Sequence, residues 1–170
     1  MARHLGLLAI ACSLLVFNSG CQQESAQGIT GDAWEYYAHG DPIVTLNRWA
    51  RVGMDDNDQI YYVDFHAEDK VVDENLFIVR DLKHLKSLDL GGTKVTDFGM
   101  KNLRGLKQLE VLHLPDGITD IGLQDLRPLA GEKMREIFIS PESGVTSDGV
   151  DQLKVWFPKA KIYYRDIFRL

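Results

Sequence analysis

Carboxylates and imidazoles recur in this chain at a fixed phase. When the short apolar blocks are aligned, Asp64, Asp89 and His113 occupy equivalent positions, and His66 stands just beyond Asp64. Oxygen and imidazole nitrogen donors together suit a divalent metal, so a weak metal or small-ligand site at Asp64, Asp89 and His113 is one reading. A row of acids also arises by chance in a chain with 25 Asp and Glu residues, and that reading, with no metal site, is preferred. A second acidic row, Asp73, Asp97 and Asp120, precedes short apolar stripes at one recurring position. A carboxylate there can accept the free amide hydrogens of a helix's first turn. These three are therefore read as helix caps, each serving its own helix.

The residues that would define an enzyme do not occur in a usable pattern. Nucleophilic catalysis needs an activated Ser or Cys with a base in reach. No Gly-x-Ser-x-Gly is present, and the two cysteines, Cys12 and Cys21, both lie in the N-terminal stretch. Gly91-Gly92-Thr93 lacks the spacing and the lysine of a phosphate-binding loop. There is no His-Glu-x-x-His and no paired Cys-x-x-Cys. The expectation is a non-enzymatic protein with no catalytic residue and no cofactor.

The elements that position these side chains come from a repeat. The chain matches itself at a period of about 25 residues. The clearest copy reads Leu85-x-x-Leu88-x-Leu90, then Val95-Thr96-Asp97-Phe98-Gly99-Met100 and Leu103. The next reads Leu109-x-x-Leu112-x-Leu114, then Ile118-Thr119-Asp120-Ile121-Gly122-Leu123 and Leu126. A later copy has Met134-x-x-Ile137-x-Ile139, then Val145-Thr146-Ser147-Asp148-Gly149-Val150 and Leu153. A weaker first copy has Ile60-x-x-Val63-x-Phe65, then Val71-Val72-Asp73-Glu74-Asn75-Leu76 and Val79. Alternating residues such as Leu88 and Leu90 point one way from a short strand and leave Ser87 and Asp89 on the other face. Met100 and Leu103 then give a short helix one apolar stripe.

These motifs resemble the leucine-rich-repeat family, in particular bacterial forms with an L-x-x-L-x-L-x-x-T-x-V-T-D-x-G-L-x-x-L unit, over roughly residues 41 to 164. The resemblance implies an α/β fold: a right-handed β-α solenoid of about four repeats with a parallel concave sheet and an N-terminal helical cap. One repeat cannot bury its own apolar edge, whereas a stack makes a continuous core. Residues 34 to 58 are assigned to the cap, 59 to 158 to the four repeats, and 159 to 170 to a C-terminal cap strand and tail. In the cap, Asp41-Pro42 opens a helix whose stripe is Ile43, Leu46, Trp49 and Ala50, and Gly53 ends it before a turn at Asp55-Asp56-Asn57-Asp58.

Residues 1 to 20 read as a signal peptide: Arg3 and His4, an apolar run from 5 to 17, then Asn18-Ser19-Gly20. The run reaches roughly 20 Å as a helix, short of the ~20 residues that a membrane span needs. Ser19-Gly20-Cys21 resembles the bacterial lipobox, with Asn18 in place of the usual aliphatic residue. It implies acylation at Cys21, with residues 21 to 33 a lipidated cysteine and flexible tether that reaches about 20 Å. Gln22 resembles the outer-membrane sorting choice. The expected location is the cell envelope, as an outer-membrane lipoprotein facing the periplasm or the surface. With Cys12 in the signal, Cys21 has no partner for an intramolecular disulfide. Nineteen basic against 25 acidic residues, a formal charge of −6, argue against nucleic acid as a partner.

Stacking the copies places equivalent residues in columns across neighbouring strands, about 4.8 Å apart. One column is Tyr62, Ser87, Val111 and Glu136; the next is Asp64, Asp89, His113 and Phe138; a third is His66, Gly91, Pro115 and Ser140. The expected binding face is Tyr62, Asp64, His66, Asp89, Val111, His113, Glu136 and Phe138, taking a protein or peptide partner on its aromatic anchors. The alternative is an acidic spacer of the cell envelope without a specific partner.

Overall fold

A computed structural model describes residues 46 to 164 apart from 48, 67 and 132. The signal, Cys21, the tether, most of the expected cap helix and the tail 165 to 170 lie outside the described residues. Among the described residues no helix is long and apolar enough to cross a membrane.

The fold is α/β, built on one sheet of six strands that lie in chain order. They are β1 (Arg51–Met54), β2 (Ile60–Asp64), β3 (Ser87–Asp89), β4 (Val111–His113), β5 (Glu136–Ile139) and β6 (Lys161–Tyr164). From β2 to β6 every pairing is parallel, so each strand is followed by a crossover to the same end of the next. The crossovers carry short helices: 3-10 turns at Asp73–Asp81 and Met100–Leu103, α1 (Asp120–Leu123) running into a 3-10 turn at Gln124–Leu129, and α2 (Ser147–Trp156). Successive helical segments pack on one another in chain order. The tighter 3-10 form gains more length per residue than an α-helix, which suits a return path of a few residues. Pro158 ends α2, since a residue before proline is pushed out of the helical region; Phe157 has φ −126° and ψ 65°.

The repeated apolar positions form the core. Leu88, Leu112 and Ile137 at the strand centres are fully buried, as are Leu85, Leu90, Val95, Met100 and Leu103 of the clearest copy. Strand and helix contributions join in one apolar cluster. Truncating a single member, Leu112→Ala, would cost about 2 to 5 kcal/mol. Gly91-Gly92-Thr93 is a turn leaving β3, with Gly92 at φ 71° and Thr93 bonded to Leu90 O through both its amide and its hydroxyl.

At residues 51 to 54 the chain departs from the expected helix, and the sheet is not all parallel. Arg51–Met54 is a strand, paired antiparallel to β2 with Arg51 opposite Asp64 and Gly53 opposite Tyr62. The turn at 55 to 58 is the cause. Asp55 Oδ1 accepts the amides of Asn57 at 2.9 Å and Gln59 at 3.0 Å, and Asp58 sits at φ 60°, a conformation Asp tolerates. That turn folds the preceding residues back onto β2 as a hairpin. A side chain at position 53 would meet Tyr62 Cβ at 3.1 Å, so Gly53 serves the close strand pairing rather than a helix end.

The acidic row at 73, 97 and 120 also differs from expectation. Each carboxylate reaches to the following copy instead of capping its own helix. Asp73 accepts from the amide and hydroxyl of Thr96, at 2.7 and 2.6 Å. Asp97 accepts from the same two groups of Thr119, at 2.8 and 2.6 Å, and from the amide of Gly122 at 3.0 Å. Asp120 repeats the pattern on Thr146, at 2.9 and 2.6 Å. The local capping falls to threonine: Thr119 accepts from the amide of Ile121 and Thr146 from that of Gly149. Each threonine hydroxyl thus donates to the preceding copy while accepting from its own helix. At the ends of the row the side chains change, with Val72 in the first threonine position and Ser147 in the last aspartate position. A related substitution closes the backbone ladder. Val71 O and Ile118 O accept amides of the following copies, Lys94 and Gly144, whereas Val145 O accepts the phenol of Tyr164 at 2.8 Å.

Candidate binding face of the sheet

Parallel register brings the sequence columns together. Tyr62, Ser87, Val111, Glu136 and Lys161 are register partners across β2 to β6, and so are Asp64, Asp89, His113, Phe138 and Tyr163. Between the columns lie the buried Val63, Leu88, Leu112 and Ile137. Strand alternation thus puts Tyr62, Asp64, Asp89, Val111, His113, Glu136 and Phe138 on one side. His66 follows β2, with its amide on Asp64 Oδ1 at 2.8 Å and its ring over Gly91, where a Cβ would meet Nδ1 at 3.1 Å. Cys21 lies outside the described residues.

The face divides into an acidic and an aromatic half. On the aromatic side, His113 stacks on Phe138 with ring centroids 4.1 Å apart, and Phe138 stacks on Tyr163 at 4.4 Å with planes 6° apart. Parallel strands repeat at about 4.8 Å, near the 4.1 and 4.4 Å between these ring centroids, so three planar side chains at one column position fall naturally into a pile. Tyr163 is a member that the four-residue columns omit; carrying the column one strand further, into 161 to 164, finds it. Its hydroxyl lies 3.5 Å from Glu136.

Asp64 is not the open carboxylate expected from the sequence. It is 7% exposed and forms an ion pair with Arg51 at 3.1 Å, while the Tyr62 hydroxyl donates to it at 3.0 Å. Burial first, and then that hydrogen bond, push the Tyr62 phenol above its ordinary pKa. With its oxygens engaged by Arg51, Tyr62 and the His66 amide, Asp64 does not join Asp89 and His113 as a ligand set. Among the described residues no group of three or more His, Cys, Asp or Glu has a metal-holding arrangement. Tyr62 likewise serves Asp64 rather than standing as a second free aromatic anchor.

Asp89 has different surroundings. Its Oδ1 accepts the Gly91 amide at 2.8 Å, and the Nδ1 atoms of His66 and His113 stand at 3.8 Å from Oδ1 and 3.6 Å from Oδ2. Away from the sheet, Phe98 and Ile121 are 79% and 75% exposed at the same position of consecutive copies, a pair that a search for polar chemistry passes over. No protein-family model matches the chain, and no curated protein matches it in sequence.

Proposed function

We propose that this chain is an envelope-anchored leucine-rich-repeat solenoid that holds a protein or peptide partner on the open side of its sheet. The parallel strands in chain order, the burial of the repeated apolar positions and the threonine–aspartate ties between copies support the solenoid reading. The lipobox-like Ser19-Gly20-Cys21 supports the anchor. One observation carries the binding reading: the pile of His113, Phe138 and Tyr163 lies in line with Asp89 on the half-buried side of the sheet. Aromatic groups beside a few polar ones are the composition of binding anchors.

Two measurements test this reading. Peptides selected from a random displayed library on the full chain should lose on the order of tenfold or more in affinity for the Phe138→Ala, Tyr163→Ala variant. Failure to select any peptide, or equal binding by the variant, sinks the binding face. Labelled palmitate should enter the wild-type chain and not Cys21→Ala in an exporting host; a wild-type chain without label sinks the anchor.

A further inference from the structure

Asp89 carries a carboxylate whose side chain is only 18% exposed. Oδ1 has the Gly91 amide at 2.8 Å. Oδ2 has no hydrogen bond among the described residues; its nearest ionisable neighbour is His113 Nδ1 at 3.6 Å. No Lys or Arg among the described residues pairs with it. The contrast with Asp64 on the next strand is direct, since Asp64 has Arg51 at 3.1 Å. A largely buried carboxylate oxygen without a hydrogen-bond donor or a Lys or Arg partner is costly, and this one sits where the aromatic pile begins.

We propose that the face recognises its partner through a basic side chain, arginine or lysine, seated on Asp89 between His66 and His113. The segment carrying it then crosses the edges of Phe138 and Tyr163. This rests on the binding-face reading above and names the chemistry of the partner. Charge complementarity favours a cation on Oδ2, and a guanidinium is suited to a site with a carboxylate beside ring surfaces. From β3 to β6 is three strand spacings, about 14 Å, which an extended peptide covers in about four residues. The expected ligand therefore has a basic residue and, roughly four positions away, an apolar one.

The groups facing Asp89 are Tyr62, Asp64 and His66 from the β2 side, with Arg51 of β1 held on Asp64, and His113 from β4, beyond which stand Glu136 and Tyr163. Apart from the two imidazoles, none of these supplies a free cation to Asp89.

The test uses peptides selected on the full chain at about pH 7.5 in the presence of chelator, so that no divalent cation stands in for the basic group. The expected result is enrichment of Arg or Lys. Binding should fall on the order of tenfold when that residue is replaced by citrulline or norleucine, and likewise with Asp89→Asn. Enriched peptides without a basic residue, or full binding by the citrulline peptide, overturn the proposal even if Asp89→Asn misfolds. If such peptides still lose affinity for the Phe138→Ala, Tyr163→Ala variant, the binding face stands and only the basic-group recognition fails. Selection of no peptide at all overturns both.

Discussion

Thr119 is tied to Asp97 twice, its amide donating to Oδ1 at 2.8 Å and its hydroxyl to Oδ2 at 2.6 Å. The two residues belong to consecutive copies of the repeat, so the pair joins one copy to the next rather than bracing either alone. Gly122 adds a third donor to the same carboxylate.

Asp97→Ala is expected to cost about 2 to 4 kcal/mol, because hydrogen bonds to a charged acceptor are worth more than neutral ones and three donors lose their partner. A simple cap would cost about 1 kcal/mol. Urea unfolding of the purified domain decides between these values. Asp120→Ala should cost less than Asp97→Ala, since its carboxylate meets only the amide and hydroxyl of Thr146; the reverse order would contradict the assignment.

Gly149 packs directly beneath the carboxylate of Asp120, and a Cβ there would lie well inside contact distance of that group. Gly149→Ala should therefore destabilise by about 1 to 3 kcal/mol. In an Asp120→Ala background most of that penalty should vanish, since the nearest obstructing atoms are gone. Gly131→Ala, whose new methyl would meet nothing closer than 3.9 Å, is the matched control. Additive costs in the Gly149/Asp120 cycle would refute the steric account.

The phenol of Tyr62 is held above its ordinary pKa by burial and by its bond to Asp64. A proton held more tightly in the folded state stabilises fully below the unfolded pKa, and that contribution is lost as pH rises toward the folded value. Unfolded tyrosine titrates near about 10. The wild-type urea midpoint should thus fall above about pH 10 more steeply than that of Tyr62→Phe. Parallel profiles for the two proteins would count against it.

Tyr164→Phe removes the donor to Val145 O. The expected loss is about 0.5 to 1.5 kcal/mol, with faster amide exchange concentrated in β6 and α2. Exchange unchanged in both elements would show that the phenol does not close that end.

Much of this arrangement was readable beforehand, and for a definite reason. Side-chain alternation in strands is strict, so Leu88, Leu112 and Ile137 could be placed inward and Asp89 and His113 outward from spacing alone. The columns followed because successive copies differ by a residue or so outside the strands. What escaped depended on contacts between segments. Arg-Val-Gly-Met at 51 to 54 fits a helix end as well as an edge strand; without β1, Arg51 could not be seen as the partner of Asp64, nor Asp64 removed from a ligand set. A carboxylate preceding a helical stripe is a cap by local rules, and only the offset between copies sends Asp97 to Thr119. A clue did exist: a threonine stands before Asp97 and before Asp120, while Val72 stands before Asp73.

That last detail bears on where the row of ties stops. The segments carrying Thr96-Asp97 and Thr119-Asp120 each have both plug and socket, an aspartate to send forward and a threonine to receive. Val72 offers no socket and Ser147 no comparable plug, so a unit appended outside either would arrive with an unmatched side chain. Val72 and Ser147 thus mark where the row of threonine–aspartate ties stops among the described residues.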